Sequence, residues 1–168
     1  MSEEAVAMNE DIVNLTMGAI FWLVLTFGAA WISARYMPDA WYRRLNKPSW
    51  NPPDSVFGMV WSLLYFLMAC AAWLVWRDTD WGGFTGPLSL YLLQLLLNAV
   101  WPWLFFERHR PGAALADMVV LWIAVAATMV TFWHVMPVAG ALFVPYLAWL
   151  SFAAVLNFNI WRANPQTT

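Results

Sequence analysis

Charge is scarce in this 168-residue chain: Asp, Glu, Lys and Arg together make up 11% of it, where a soluble domain carries about 25%. The scarcity is concentrated. No charged residue lies between Asp11 and Arg35, between Asp54 and Arg77, between Asp80 and Glu107, or between Asp117 and Arg162, and these intervals hold 23, 22, 26 and 44 residues. Crossing a bilayer core of ~30 Å takes about 20 apolar residues in a helix. The first three intervals are therefore one span each, and the fourth is two, broken near His134-Val135-Met136-Pro137. The alternation of polar and apolar residues that marks a membrane β-barrel strand is also missing, as in Trp61-Ser62-Leu63-Leu64-Tyr65-Phe66-Leu67-Met68. The only cysteine, Cys70, falls mid-span and says nothing about a redox compartment. There is no Lys or Arg before Arg35, so the basic start of a secretory signal is lacking and the first span is expected to be retained. No nucleophile–base pair, metal cluster or phosphate loop supports ordinary enzyme chemistry. No internal repeat of the kind many transporters carry is visible.

What is present is an all-α integral membrane bundle of five transmembrane helices, read as a single membrane domain over residues 1–168. The expected spans are about 12–34, 54–77, 84–106, 112–134 and 138–161, with a lid-like first loop over 35–53. Five spans put the first loop, the third loop and the C-terminus on one side. That side holds Arg35, Arg43, Arg44, Lys47, Arg108, Arg110 and Arg162, against Arg77 alone on the other. Basic residues favour the cytoplasmic side, so the expectation is a bacterial inner membrane with the N-terminus outside and the C-terminus inside. Delivery to an outer membrane would suspend that rule.

Fourteen tryptophans are far more than chance supplies. Most, including Trp31, Trp50, Trp73, Trp76, Trp81, Trp103, Trp133 and Trp161, fall near span ends, as an interfacial aromatic belt requires. Trp22, Trp61, Trp122 and Trp149 lie deeper, with helix or lipid packing the plain account of Trp22 and Trp122. The first loop is unlike the other connections. Three of its four prolines fall within Pro48–Pro53, which excludes regular helix there. It also carries Trp41, Tyr42 and Trp50 among Arg43, Arg44 and Lys47. Loops this long are commonly lids or binding loops, or else disordered, and rigid aromatics argue against disorder.

Trp41-Tyr42, Leu45, Lys47-Pro48, Trp50 and Pro52-Pro53 together resemble the first-loop signature of the translocator protein family, whose bacterial members are called tryptophan-rich sensory proteins. The match continues through Phe57, Val60-Trp61 and Leu64-Tyr65, then Leu97-Asn98 and Trp101, then Val144-Pro145-Tyr146-Leu147-Ala148-Trp149 and Leu156-Asn157-Phe158. The resemblance covers residues 37 to about 162, in order and in register. It implies a five-helix bundle whose cavity opens toward the first loop, and binding of porphyrins such as protoporphyrin IX and of hydrophobic drug-like ligands. It also implies porphyrin as ligand rather than as a required cofactor, and a homodimer. Animal members bind cholesterol through a motif with a Tyr; here Leu156, Phe158 and Arg162 stand in that pattern and Phe158 lacks the hydroxyl, which leaves sterol binding unsupported. No small-xxx-small pair exists in the third span to build a dimer. Ala124 with Thr128, or Ala148 with Phe152 beside Ala153, are weaker alternatives. The partners expected are the lipid bilayer and a tetrapyrrole, with no nucleic acid and no metal.

The residues themselves arrange a pocket of that kind. Trp61, Tyr65 and Met68 share one helical face, as do Gln94, Asn98 and Trp101, and Tyr146, Trp149, Ala153 and Asn157. Trp61 and Asn98 lie seven and eight residues in from the first-loop side, ~10 Å at helical rise. Flat aromatics with a few polar groups suit a porphyrin, and Arg43, Arg44 and Lys47 are placed for its propionates. Each residue also has a plainer reading. Gln94 and Asn98 can be interhelical hydrogen-bond glue, Trp61 and Trp149 core packing, and the three basic residues topology signals touching lipid phosphates. Asp117, one turn inside its span, is expected to pair with Arg108 or Arg110, and His134 to be a solvated turn residue. Three functions follow: a tetrapyrrole-binding receptor or sensor, concerned with tetrapyrrole transport or regulation, in which Trp41, Tyr42, Trp61, Asn98 and Trp149 hold the ligand under the first loop; a light-dependent porphyrin-degrading enzyme, with Trp41 and Trp149 as electron donors or oxidation targets; and a membrane scaffold that docks a protein on its aromatic loop. The first is the reading adopted.

Overall fold

The computed structural model describes residues 3–79 and 86–165. Among them there are five helices or helix pairs long and apolar enough to cross a membrane. The first is α1, Glu3–Ser33, followed by a short loop helix α2, Ala40–Arg44. Next come α3, Asp54–Asp78, and α4, Gly86–Pro102, which runs on as a wide π-type turn over Trp103–Glu107. The last spans are α5, Pro111–Val135, and a broken pair, α6, Pro137–Ala141, with α7, Val144–Ala163. The chain is an integral, multi-pass, all-helical membrane protein. Trp81 and the first residues of the expected third span lie outside the described residues.

Proline sets several boundaries. Pro111 and Pro137 open α5 and α6, where a missing N–H costs nothing. Pro102 is different: it sits inside the third span, where it cannot donate to the preceding turn. The ladder then widens, with Arg108 N–H donating to Trp103 O at 2.9 Å and Arg110 N–H to Leu104 O at 3.0 Å. His109 closes this end with φ 53, the left-handed position that glycine usually takes at a helix C-terminus. The charge map placed the start of the first span at residue 12, but α1 begins at Glu3. Charge limits what lies in lipid, not what is helical, and Glu4, Glu10 and Asp11 are exposed on the protruding turns, where the helix dipole favours acids.

In the bundle, α1 packs on α3 and α4, α4 on α5, and α5 on α7, while α6 closes the circle against α3. Close approach of α1 and α3 depends on Gly18: a Cβ there would fall 1.8 Å from Trp76 Cζ3. Trp73 Nε1 adds a hydrogen bond of 3.1 Å to Leu15 O. Trp22 is buried edge-on against Tyr91, ring centroids 5.7 Å apart, whose hydroxyl meets Thr26 Oγ1 at 2.6 Å. Trp122, by contrast, is exposed and donates to Ser151 Oγ at 2.9 Å. Ala124 and Thr128 are buried inside the bundle, so that pair cannot form the dimer contact considered from spacing.

Candidate functional site

Aromatic rings fill the space between the loop-proximal half of α3 and the first turns of α7. Phe57 meets Trp149 at 5.4 Å and Trp61 meets Tyr146 at 6.0 Å. A cavity of about 520 Å³ lies in the half of the bundle beneath the first loop. Its aromatic wall is Trp61, Tyr65, Trp101, Phe105 and Phe106; its apolar floor is Met118, Leu121, Leu150 and Ala153. The inner end is closed by a buried hydrogen-bond chain across three helices. Tyr65 Oη donates to Asn98 Oδ1 at 2.5 Å, and Asn98 Nδ2 donates to Tyr146 Oη at 2.6 Å. Two wall residues carry a buried polar atom with no partner: the donor Trp101 Nε1 and the acceptor Asn157 Oδ1. The Asn157 amide is fixed by its Nδ2, which donates to Pro111 O at 3.2 Å.

The first loop is tied down on two sides. On one, α2 lays Tyr42 against Phe106 and Phe105, at 5.3 and 6.0 Å. Asp39 caps α2, accepting from Tyr42 N–H at 2.9 Å, and its other oxygen meets His109 Nε2 at 3.1 Å. The His109 ring stacks on Trp41 at 4.3 Å. The N–H of Tyr42, ahead of the imidazole, holds the Asp39 carboxyl below its ordinary value. Burial, ahead of the nearby Asp54, pushes the Tyr42 phenol up. On the other side, Asn46 and Asn164 exchange two amide–backbone bonds of 3.0 Å, and Trp50 packs edge-on against Phe152 at 5.6 Å.

Of the residues expected to contact a ligand, Tyr42, Trp61, Tyr65, Asn98, Trp101, Ala153 and Asn157 are brought together on the cavity wall. Trp41, Gln94, Tyr146 and Trp149 stand outside it. Gln94 is fully buried, with Nε2 on Met68 Sδ at 3.7 Å, which is the glue reading. Tyr146 backs Asn98, Trp149 wedges between Phe57 and Phe152, and Trp41 is a loop-to-loop stacking residue. Helical spacing assigned a face to each of these but not its depth behind the first layer of side chains. Lys47 is also outside the wall: its Nζ donates to Tyr42 O at 2.6 Å and Leu45 O at 3.1 Å, so it terminates α2. Arg43 and Arg44 are exposed. Asp117 makes no ion pair with Arg108 or Arg110; its Oδ2 is buried without a partner, and the Arg108 guanidinium lies 5.3 Å from the Trp103 ring centre instead.

Sequence reasoning assigned no wall to the first span, yet Phe27, Ala30 and Ser33 of α1 line the cavity, with Ala34, Tyr36, Met37 and Pro38 after it. Nothing in their composition distinguishes them from lipid-facing residues. The Asp39–His109 contact joins residues 70 apart in sequence and had no local signal either.

The comparisons with known proteins agree with this architecture. Residues 15–162 match the TspO/MBR family. This chain belongs to it. It is 47% identical over 128 residues to the translocator protein of Homo sapiens, covering 74% of this chain and 75% of that one. It is 45% identical over 147 residues to the tryptophan-rich sensory protein of Cereibacter sphaeroides, covering 84% and 91%. A third relative, the tryptophan-rich protein TspO of Chlorobaculum tepidum, is 40% identical over 163 residues, covering 94% and 100%.

Proposed function

We propose that this TspO/MBR protein is a membrane receptor that binds a flat, largely apolar ligand of the tetrapyrrole class in the cavity beneath its first loop. The observation that carries the reading is the wall itself: a cavity of about 520 Å³ faced with aromatic rings, with a few polar side chains such as Ser62, Asn98 and Asn157 in an otherwise apolar lining. Binding sites for small molecules are commonly ~300–1,000 Å³, mostly apolar, with few placed polar groups. Arg43 and Arg44, exposed on the loop helix, are available to propionates at the mouth, whereas Lys47 is occupied by its carbonyls. The names of the relatives in Homo sapiens and Cereibacter sphaeroides speak of translocation and sensing; regulation or transport of the bound tetrapyrrole is the corresponding role here. The seven-to-one distribution of Lys and Arg supports a first loop on the cytoplasmic side of an inner membrane.

The test is a titration of protoporphyrin IX into the detergent-solubilised protein in the dark, following tryptophan fluorescence, beside Ala153→Leu and Asn157→Leu. Saturable quenching in the unsubstituted protein, weakened about tenfold or more when Ala153→Leu fills the floor, is the expected result. Quenching indifferent to both substitutions would remove the cavity assignment. Illumination of the same sample then reads porphyrin breakdown. Turnover that is lost in Trp41→Phe or Trp149→Phe would favour the photo-oxidative reading over simple binding.

A further inference from the structure

The cavity is not equally closed on all sides. Its wall residues from α4, α5 and α7 are buried or half-buried throughout, as with Asn98, Phe105, Leu121, Leu150 and Ala153. The exposed wall residues all belong to α1, α3 and the chain just after α1: Phe27, Ala34, Met37, Asp54, Gly58 and Ser62. The two sides flanked by the first loop are sealed. Tyr42 covers the end of α4, while Trp50 and the Asn46–Asn164 pair cover the end of α7. Beside α1 and α3 the wall instead ends in Met37 and Asp54, both exposed. There the two helices, tightly joined at the opposite end by Gly18 and Trp76, contribute the small residues Ala30, Gly58 and Ser62 to the wall, and Phe27 reaches toward Tyr65 with ring centroids 6.4 Å apart.

We infer that this gap is a side window through which the ligand passes between the bilayer and the cavity, and that Gly58 keeps it open. The inference rests on the binding reading above. The depth is right for lipid access. Ser62 lies eight residues into α3, or ~12 Å, and Phe27 lies six from the end of α1, or ~9 Å, at helical rise. The rim chemistry is right as well: the Ser62 hydroxyl donates to Gly58 O at 2.8 Å within its own helix, so it presents no unpaired donor to hydrocarbon. Gly58 has nothing within 4 Å of where a Cβ would stand. Neither packing nor a positive φ requires glycine there, and glycine costs helix stability relative to alanine. Open space is what the position supplies. A porphyrin partitions into membranes, so a route from lipid avoids opening the fastened loop.

The experiment measures the rate at which protoporphyrin IX, preloaded in phosphatidylcholine vesicles, quenches the tryptophans of the reconstituted protein on vesicle mixing. Gly58→Trp should slow association about tenfold or more, with dissociation slowed in parallel. Gly58→Ala, which leaves most of the gap, should slow both rates far less than Gly58→Trp. Asn164→Ala, which loosens the loop on its α7 side, should leave the rate unchanged. An unaltered rate in Gly58→Trp, or acceleration in Asn164→Ala, would overturn the window and assign access to the loop. A second readout needs no ligand: a nitroxide at Ser62→Cys, in a Cys70→Ser background, should relax with membrane-dissolved oxygen and not with a water-soluble nickel chelate. The reverse pattern overturns the window even if binding holds. Absence of saturable quenching in the unsubstituted protein overturns the binding reading itself and the window with it.

Discussion

Asn98 is the residue on which the inner end of the cavity depends, and its replacement makes a quantitative test. It is 5% exposed, between Tyr65 at 5% and Tyr146 at 0%, and it bonds both phenols, accepting from one and donating to the other. Asn98→Leu removes both bonds and strands two hydroxyls in apolar surroundings. In soluble proteins each stranded group costs about 1–3 kcal/mol. Interhelical hydrogen bonds in membranes average about 0.6 kcal/mol, with a ceiling near 1.7 kcal/mol, because the unfolded chain in lipid also finds partners. The membrane figures apply here, and two bonds give a loss of about 1–3 kcal/mol. The triple variant Tyr65→Phe, Asn98→Leu, Tyr146→Phe strands nothing, since polar partners removed together leave no unsatisfied group. It should recover at least half of the loss. The assay is reversible unfolding by sodium dodecyl sulfate in mixed micelles, read by tryptophan fluorescence. The reasoning fails if Asn98→Leu lies within about 0.3 kcal/mol of the unsubstituted protein, or if the triple variant is less stable than the single one.

The packing of α1 on α3 predicts that Gly18→Ala costs about 1–3 kcal/mol through overpacking, since its Cβ would fall inside the Trp76 ring; the same unfolding assay should show part of the loss relieved by a second substitution, Trp76→Leu. At the loop latch, His109→Gly should be more stable than His109→Ala by about 1 kcal/mol, because both lose the Asp39 contact and only glycine is free of the left-handed strain at φ 53; equal melting temperatures would refute this. The Asp39 carboxyl is held below its ordinary value when folded. The stability it contributes is therefore present above its unfolded pKa and fades as pH falls through the lower folded value. Amide exchange of Tyr42 should accelerate only below about pH 4, and Asp39→Asn should abolish that pH dependence. Lys47→Ala frees the carbonyls of Tyr42 and Leu45 and should raise proteolysis of the first loop while leaving the melting temperature of the bundle within about 1 °C.

The spans, their number and the all-helical class were determined by the sequence alone, because the bilayer penalises charge and unpaired backbone so strongly that composition cannot hide them. The faces of α3, α4 and α7 were also readable, from the 3.6-residue period of Trp61 with Tyr65, Asn98 with Trp101, and Ala153 with Asn157. What periodicity could not supply was layering. Gln94, Tyr146 and Trp149 share those faces, yet stand behind the wall because neighbouring side chains reach the cavity first. Nor could it supply contacts between distant loops: Asp39 meets His109 only after Pro102 widens the end of the third span and turns His109 into a left-handed corner. The contribution of α1 to the wall was invisible for a related reason. In lipid an apolar side chain facing a cavity and one facing hydrocarbon look alike in sequence, and only the placement of α1 beside α3 separates Phe27 and Ala30 from the residues that touch lipid alone.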